Sequence, residues 1–136
     1  MKVDILIVDD EKAIRESLAR RYSFKGWSVD TAENGEDALN KMKETSYKII
    51  ISDIVMPVMN GVELLKVIRS DYPSTKAIMI TGHVTLSHAV NCMRYGAFDM
   101  VFKPIDLTVL DDSVKEVLGF LDKWENRLSN LVGMKE

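Results

Sequence analysis

Five polar residues that could bind a metal ion and a phosphoryl group stand at the ends of apolar runs. They are Asp9, Asp10, Asp53, Thr81 and Lys103. Carboxylate oxygens are the ligands that Mg²⁺ prefers, and two adjacent carboxylates repel each other unless a cation lies between them. A lysine ammonium and a threonine hydroxyl can bind the charged oxygens of a phosphoryl group. If these residues meet, their chemistry suits phosphoryl transfer.

The residues beside Thr81 also fit an anion site. Gly82 follows Thr81, and a glycine lets backbone N–H groups approach an anion closely. The sequence contains no glycine-rich phosphate loop, so nucleotide binding of the P-loop type is not expected.

The elements that must position these residues can be read from the hydrophobic pattern. Five apolar runs predict strands, and they lie at 3–8, 27–32, 48–52, 76–80 and 98–102. Continuous apolar runs are typical of strands buried on both faces, whereas the second run alternates and suits an edge. Helical patterns fill the intervals, which predicts an α/β fold, a (βα)5 doubly wound parallel sheet. Ligands bind at the carboxyl ends of such strands, where the five polar residues are expected to converge.

Length, charge and composition limit the function classes. The chain of 136 residues suits one ordinary domain, and its net charge of -3 argues against direct binding of nucleic acid or of an acidic membrane. The single cysteine, Cys92, allows no intrachain disulfide, and neither a signal peptide nor a stretch of about 18 apolar residues is present. We therefore expect a cytoplasmic protein.

Four motifs in order carry a family resemblance: "ILIVDDE", "ISDIVMPVMNG", "ITGH" and "GAFDMVFKP". Together they resemble the receiver domain of two-component response regulators over roughly residues 3–122. The resemblance implies a flavodoxin-like strand order 2-1-3-4-5. It also implies that a sensor histidine kinase or a phosphotransfer protein donates a phosphoryl group. The transfer would switch protein–protein contacts on the face formed by the fourth helix, the fifth strand and the fifth helix. Such a chain catalyses its own phosphorylation and dephosphorylation and is not a turnover enzyme.

The resemblance implies a role for each polar residue. Asp53 is expected to be the phosphoacceptor. Asp10 and Asp53 would bind Mg²⁺ directly, Asp9 would bind it through water, and the backbone carbonyl of Val55 would complete the protein ligands. Lys103 would pair with the phosphoryl oxygens.

The switch residues follow the family only in part. Thr81 would bind the new phosphoryl group, and Pro104 stands where the family often has a cis proline. The family usually has Tyr or Phe three residues before the lysine, whereas this chain has Met100, which offers no ring and no hydroxyl. We expect a smaller or differently transmitted switch, in which Tyr95 and Phe98 substitute in part.

Two further residues bear on how long the phosphoryl group survives. Val55 and His83 occupy positions that border the path of attacking water in the family. An apolar Val55 does not position water, which favours a long-lived phosphoryl group. His83 could contact water or phosphate, although a solvent-exposed loop histidine is the simpler interpretation.

Two other function classes fit part of the pattern. A Mg²⁺-dependent phosphatase of the haloacid dehalogenase type also uses an aspartate nucleophile on an α/β sheet. That family places its nucleophile after the first strand in a D-x-D pattern, whereas Asp9 is followed by Asp10 and Glu11. A receiver-like scaffold that is no longer phosphorylated is the other alternative, and the presence of Asp53 and Lys103 argues against it.

The C-terminal segment carries an apolar repeat longer than one domain needs. Its members are Leu110, Val114, Val117, Leu121, Trp124, Leu128 and Leu131. Their alternating steps of four and three form a heptad seam. We predict a receiver domain over 1–122 and a helical extension over 123–136, which forms a homodimer or contacts an output partner. The alternative is that the extension folds back on its own domain or frays.

Overall fold

The described part of the chain alternates strands and helices. A computed structural model describes residues 2–82 and 85–135. The elements are β1 (Lys2–Val8), α1 (Lys12–Phe24), β2 (Val29–Ala32), α2 (Gly35–Met42), β3 (Ser46–Asp53), α3 (Gly61–Asp71), β4 (Lys76–Thr81), α4 (Leu86–Arg94), β5 (Asp99–Phe102) and α5 (Leu107–Lys135). The predicted (βα)5 fold with a long C-terminal helix is confirmed.

The five strands form one parallel sheet in the order β2-β1-β3-β4-β5. Both the expected order and the edge position of the second strand are confirmed. β2 is added on one side of β1 and β3 on the other, so the strand order reverses between β1 and β3, and such a switch point opens a crevice at the carboxyl ends of the strands. The residues that follow β1 and β3 therefore border this crevice.

The continuous apolar runs are explained by a core on each face of the sheet. Successive residues of β1 alternate between the two: Ile5 and Ile7 pack in the cluster beneath α1 and α5, whereas Leu6 and Val8 pack in a second cluster beneath α2 and α3. All four side chains are fully buried. Because this part of β1 is buried on both faces, its apolar run is continuous, and the polar residues Asp9 and Asp10 follow at its carboxyl end.

Four helices begin at a polar residue that caps their N-terminus, and at α5 the side chain of Asp106 accepts a hydrogen bond from the backbone N–H of residue 108 at 2.9 Å. Asn34 accepts a hydrogen bond from the backbone N–H of residue 37 at the start of α2, and Asn60 and Thr85 do the same for α3 and α4. Such caps bind backbone donors that the first helical turn leaves without partners. Glu11 occupies the corresponding position of α1, but its side chain makes no capping hydrogen bond.

A buried carboxylate joins α1 to α5. Asp111 accepts hydrogen bonds from Nε and Nη2 of Arg21, at 3.1 and 2.5 Å, and from the Tyr22 hydroxyl at 3.0 Å. Lys25 lies 3.7 Å from the same carboxylate. The hydrogen bonds from Arg21 hold the pKa of Asp111 below its usual value, although burial acts in the opposite direction.

The second half of α5 leaves the domain as a continuous helix. The seam residues Leu110, Val114 and Val117 are fully buried, whereas Trp124, Leu128 and Leu131 are 50–56% exposed. This segment is helical up to Lys135, which differs from the alternative in which it folds back on its own domain. None of the helices in the described ranges combines the length and the apolar character needed to cross a membrane.

Candidate functional site

Three carboxylates meet at the carboxyl edge of the sheet. Asp9 and Asp10 follow β1, and Asp53 ends β3. One oxygen atom from each lies within 4.8 Å of the others, which is close enough for a single metal ion to bind all three. Asp9 and Asp53 are buried, whereas Asp10 is exposed. These hard oxygen donors fit a divalent cation such as Mg²⁺.

Lys103 brings a positive charge into this acidic group. Its Nζ lies 2.9 Å from Oδ2 of Asp53 and 3.3 Å from Oδ2 of Asp9. A third contact, also of 3.3 Å, joins it to Oε1 of Glu11. Burial lowers the pKa of the Lys103 ammonium, but the hydrogen bond to Asp53 and the charge of Asp9 outweigh it. The pKa therefore lies above its usual value and the group stays charged at neutral pH.

Asp9 is fixed through both its side chain and its backbone. Oδ1 accepts a hydrogen bond from the backbone N–H of Glu11 at 2.9 Å, and the carbonyl accepts one from the Arg15 guanidinium at 2.8 Å. Burial raises the pKa of Asp9, and the hydrogen bond from Glu11 and the charge of Lys103 offset only part of this effect. Burial therefore has the larger effect on the pKa of this carboxylate.

The loop after β3 is shaped around Asp53. The backbone N–H of Val55 donates to Oδ1 of Asp53 at 3.3 Å, and the N–H of Gly61 donates to the carbonyl of Ile54 at 2.7 Å. A Cβ atom at Gly61 would lie 2.3 Å from the carbonyl oxygen of Asp53. Only glycine fits there, because this distance is far below van der Waals contact. Gly61 thus lets α3 begin directly against the backbone of Asp53.

One residue of the same loop has a strained backbone. Val58 has a φ of 70°, in the left-handed region, and its side chain is 73% exposed. A β-branched side chain is unfavourable in this region, where glycine and asparagine are tolerated. The contacts that hold the loop around Asp53 are therefore strong enough to maintain this strain.

Two further site residues border the ends of β4 and β5. Thr81 is buried, and its carbonyl accepts a hydrogen bond from the Lys103 backbone at 2.8 Å. A Cβ atom at Gly82 would make ordinary contact with the Lys103 side chain at 3.5 Å, so this contact alone does not require glycine. The peptide bond between Lys103 and Pro104 is cis, as the resemblance implied. His83 lies outside the described residues.

Comparison with known proteins shows which family this chain belongs to. The family model of the response regulator receiver domain matches residues 5–115, most of the chain. The chain belongs to this family. The receiver is similar to the Regulatory protein AtoC of Escherichia coli, with 38% identity over 114 residues, which cover 84% of this chain and 25% of that protein. It therefore spans about a quarter of the length of that relative.

Solved structures show the same receiver fold. A CheY-like receiver from Methanospirillum hungatei has a TM-score of 0.86 and 32% identity, and covers 90% of this chain and 98% of its own. The beryllofluoride-activated NtrC4 receiver domain dimer has a TM-score of 0.81 and 30% identity, and covers 87% and 98%. Receiver domains are signalling domains, and this membership removes the haloacid dehalogenase alternative.

The receiver lacks the usual aromatic residue on β5, and the structure shows what surrounds its replacement. Met100 is half-buried and packs with Met79 and Cys92, in a cluster that also contacts Tyr95. Phe98 packs in the cluster on the α5 side and makes an edge-to-face contact with Phe120. Phe98 and Met100 therefore pack in different clusters, whereas Tyr95 shares the cluster of Met100, and the expectation that Tyr95 and Phe98 substitute in part stays a prediction. A switching role for Met100 stays a prediction.

Sequence reasoning missed three residues of the site. Arg15 and Glu11 were assigned no role, and Gly61 was quoted only as part of a motif. The spacing of Arg15 one helical turn after Glu11 gave a weak signal that it faces the strand end. The contact between Glu11 and Lys103 joins residues 92 positions apart, and no local pattern predicts it.

Proposed function

We propose that this receiver relays a signal by accepting a phosphoryl group on Asp53. The donor is a phosphohistidine of a sensor histidine kinase or of a phosphotransfer protein. The observation that carries the proposal is the 2.9 Å contact between Oδ2 of Asp53 and Nζ of Lys103 inside a group of three carboxylates. Asp53 has the Lys103 ammonium beside it, and the three carboxylates would bind a metal ion as a second cation.

The proposed transfer forms a bond between a carboxylate oxygen of Asp53 and phosphorus. The bond from phosphorus to the imidazole nitrogen breaks, and its electron pair remains on that nitrogen, which takes up a proton. Lys103 moves its hydrogen bonds from Asp53 to the phosphoryl oxygens and so offsets the charge that builds up on them. Thr81, at the neighbouring strand end, donates its hydroxyl to the same oxygens.

Mg²⁺ is the proposed cofactor of this site. Asp10 and Asp53 would hold it directly, Asp9 through water, and the Val55 carbonyl would complete the protein ligands. When bound, it would supply positive charge that offsets the carboxylates and the incoming phosphoryl group. The three convergent carboxylates support this assignment.

The proposed output is a change of protein–protein contacts on α4, β5 and α5. Each element exposes apolar side chains: Leu86 and Met93 on α4, Phe102 on β5, and Leu107 and Val109 on α5. We also propose that the exposed seam of α5 pairs two copies of the chain or contacts an output partner. The dimer of the similar NtrC4 receiver supports the first possibility. Direct contact with nucleic acid or membrane is not part of the proposal.

The proposal also covers the fate of the phosphoryl group and the location of the protein. The chain catalyses its own phosphorylation and dephosphorylation and releases no product from a free substrate. The apolar Val55 next to Asp53 favours slow hydrolysis of the acyl phosphate. A single cysteine supports a cytoplasmic location.

The test is the intact mass of the chain after incubation with acetyl phosphate and Mg²⁺. We expect one added phosphoryl group in the wild type and none in Asp53→Asn. Continuous release of phosphate from unrelated phosphate monoesters, with no stable mass increase, would instead indicate a phosphatase. No mass increase and no phosphate release would indicate the non-phosphorylated scaffold.

A further inference from the structure

The side chain of Glu11 is placed differently from those at the starts of the other helices. Asn34 and Asn60 cap the first turns of α2 and α3, but the carboxylate of Glu11 makes no capping hydrogen bond to α1. Its Oε1 lies 3.3 Å from Nζ of Lys103 instead. Glu11 therefore lacks the capping hydrogen bond that commonly stabilises a helix, and its carboxylate contacts the lysine of the site instead.

Three carboxylates thus share one ammonium group. Asp9 and Asp53 are buried and belong to the group that can hold a cation. Glu11 lies outside that group and its side chain is 60% exposed, whereas the side chain of Lys103 is only 15% exposed. Glu11 is the member of the three that can turn to solvent easily, because an exposed ion pair contributes little.

The incoming phosphodonor meets both Lys103 and the carboxylates that surround it. It needs Lys103 for its phosphoryl oxygens, and it carries negative charge of its own. Glu11 contacts this lysine and adds a fourth carboxylate beside Asp9, Asp10 and Asp53 at the solvent side of the site. A like charge within a few ångströms of an approaching anion slows its binding, and more strongly for a more highly charged anion.

We propose that Glu11 is a positioning residue that slows phosphorylation and makes the site discriminate against strongly anionic phosphodonors. This inference rests on the proposed function of Asp53. In the resting state Glu11 holds Lys103 and repels the donor. During transfer Lys103 turns to the phosphoryl oxygens and Glu11 is released to solvent. Glu11 takes no part in bond formation.

The test compares initial rates of phosphorylation by two donors at low donor concentration and saturating Mg²⁺. Acetyl phosphate is a dianion near neutral pH, whereas phosphoramidate is a monoanion. We expect Glu11→Gln to react faster than the wild type, by about 10-fold with acetyl phosphate and about 3-fold with phosphoramidate at low salt. The gain with acetyl phosphate should shrink at high salt, because the repulsion is screened.

Two variants serve as controls. Glu16→Gln removes the same charge five residues further along the chain, but Glu16 pairs with Lys12 at 3.8 Å, whereas the acidic partners given for Lys103 are Asp9, Glu11 and Asp53, so its rates should match the wild type. Glu11→Asp keeps the charge on a shorter side chain and should fall between the wild type and Glu11→Gln. An equal gain with both donors, or a gain no larger than that of Glu16→Gln, would overturn the proposal. If the wild type takes up no phosphoryl group from either donor, the proposed function itself is wrong.

Discussion

Lys103 and Asp53, 50 positions apart in the sequence, are in direct contact, with 2.9 Å between Nζ and Oδ2. The contact joins the ends of β5 and β3, which are separated in the sheet by β4. Both side chains are largely buried, with 15% and 7% exposure. A buried carboxylate and a buried ammonium each need a partner of opposite charge, and these two side chains supply it to each other.

Mg²⁺ is expected to stabilise the folded chain. Asp9, Asp10 and Asp53 repel one another, and a cation bound only by the folded state raises the thermal midpoint. Asp53→Lys places a permanent cation in the group and should remove most of the dependence on Mg²⁺. The measurement is thermal unfolding with Mg²⁺ and with a chelator.

The matched control for this charge reversal is Asp122→Lys, on the exposed part of α5. It should keep the full response to Mg²⁺. An Asp53→Lys variant that gains as much from Mg²⁺ as the wild type would contradict the assignment of the metal site.

Asp111 should contribute stability in a pH-dependent way. Its folded pKa is lowered by Arg21, so its contribution is complete above the unfolded pKa of about 3.9. The contribution is lost as the pH falls through the lower folded pKa. We expect Asp111→Asn to lower the free energy of unfolding by about 1–2 kcal/mol at pH 7, and by much less near pH 3. Urea denaturation at both pH values measures the difference.

Asp112→Asn is the control for this effect. Asp112 is the next residue of α5 and is exposed, so its substitution should change stability little at either pH. A cost for Asp111→Asn that is equal at both pH values would show that the packing of the side chain, rather than its charge, carries the effect.

Val58 is expected to reduce the stability of the chain. Its φ of 70° costs energy for a β-branched residue and little for glycine or asparagine. Val58→Gly should raise the free energy of unfolding by about 1 kcal/mol, because the relieved strain exceeds the entropy cost of glycine. Val58→Asn should also stabilise, and Val58→Ala should do so less. A destabilised Val58→Gly protein would mean that contacts of the valine side chain outweigh the strain.

The exposed seam of α5 should mediate self-association. Trp124, Leu128 and Leu131 continue the heptad pattern beyond the domain and remain exposed in one copy of the chain. We expect sedimentation to show a dimer of the full chain and a monomer of a chain ending at Lys123. Leu128→Glu should also give a monomer, whereas Ser129→Glu, which adds the same charge beside the seam, should still dimerise. Monomers at high concentration in both lengths would contradict the dimer.

The sequence predicted those features that depend on local periodicity. Strands such as β1 are buried on both faces, which gives a continuous apolar run, and polar residues then mark the strand ends. Convergence of Asp9, Asp53 and Lys103 follows from strand order and required no knowledge of side-chain contacts. This explains why the residues of the site could be proposed from the sequence before their distances were known.

The remaining features depend on contacts between distant elements. Phe98 and Met100 lie two residues apart on or beside a short strand, yet they pack in different clusters. The contact of Glu11 with Lys103 and the approach of Gly61 to the Asp53 backbone arise only when the loops are folded around the sheet edge. Local sequence patterns contain no information about these distances.

Borohydride reduction after treatment with acetyl phosphate and Mg²⁺ tests the central claim most directly. An acyl phosphate on an aspartate is reduced to homoserine, so peptide mapping identifies the modified residue. We predict homoserine at position 53, dependent on Mg²⁺ and on acetyl phosphate, with Asp9, Asp10 and Glu11 unchanged. Homoserine at another position, or none in a chain that gains a phosphoryl group, would contradict the assignment of Asp53 as the phosphoacceptor.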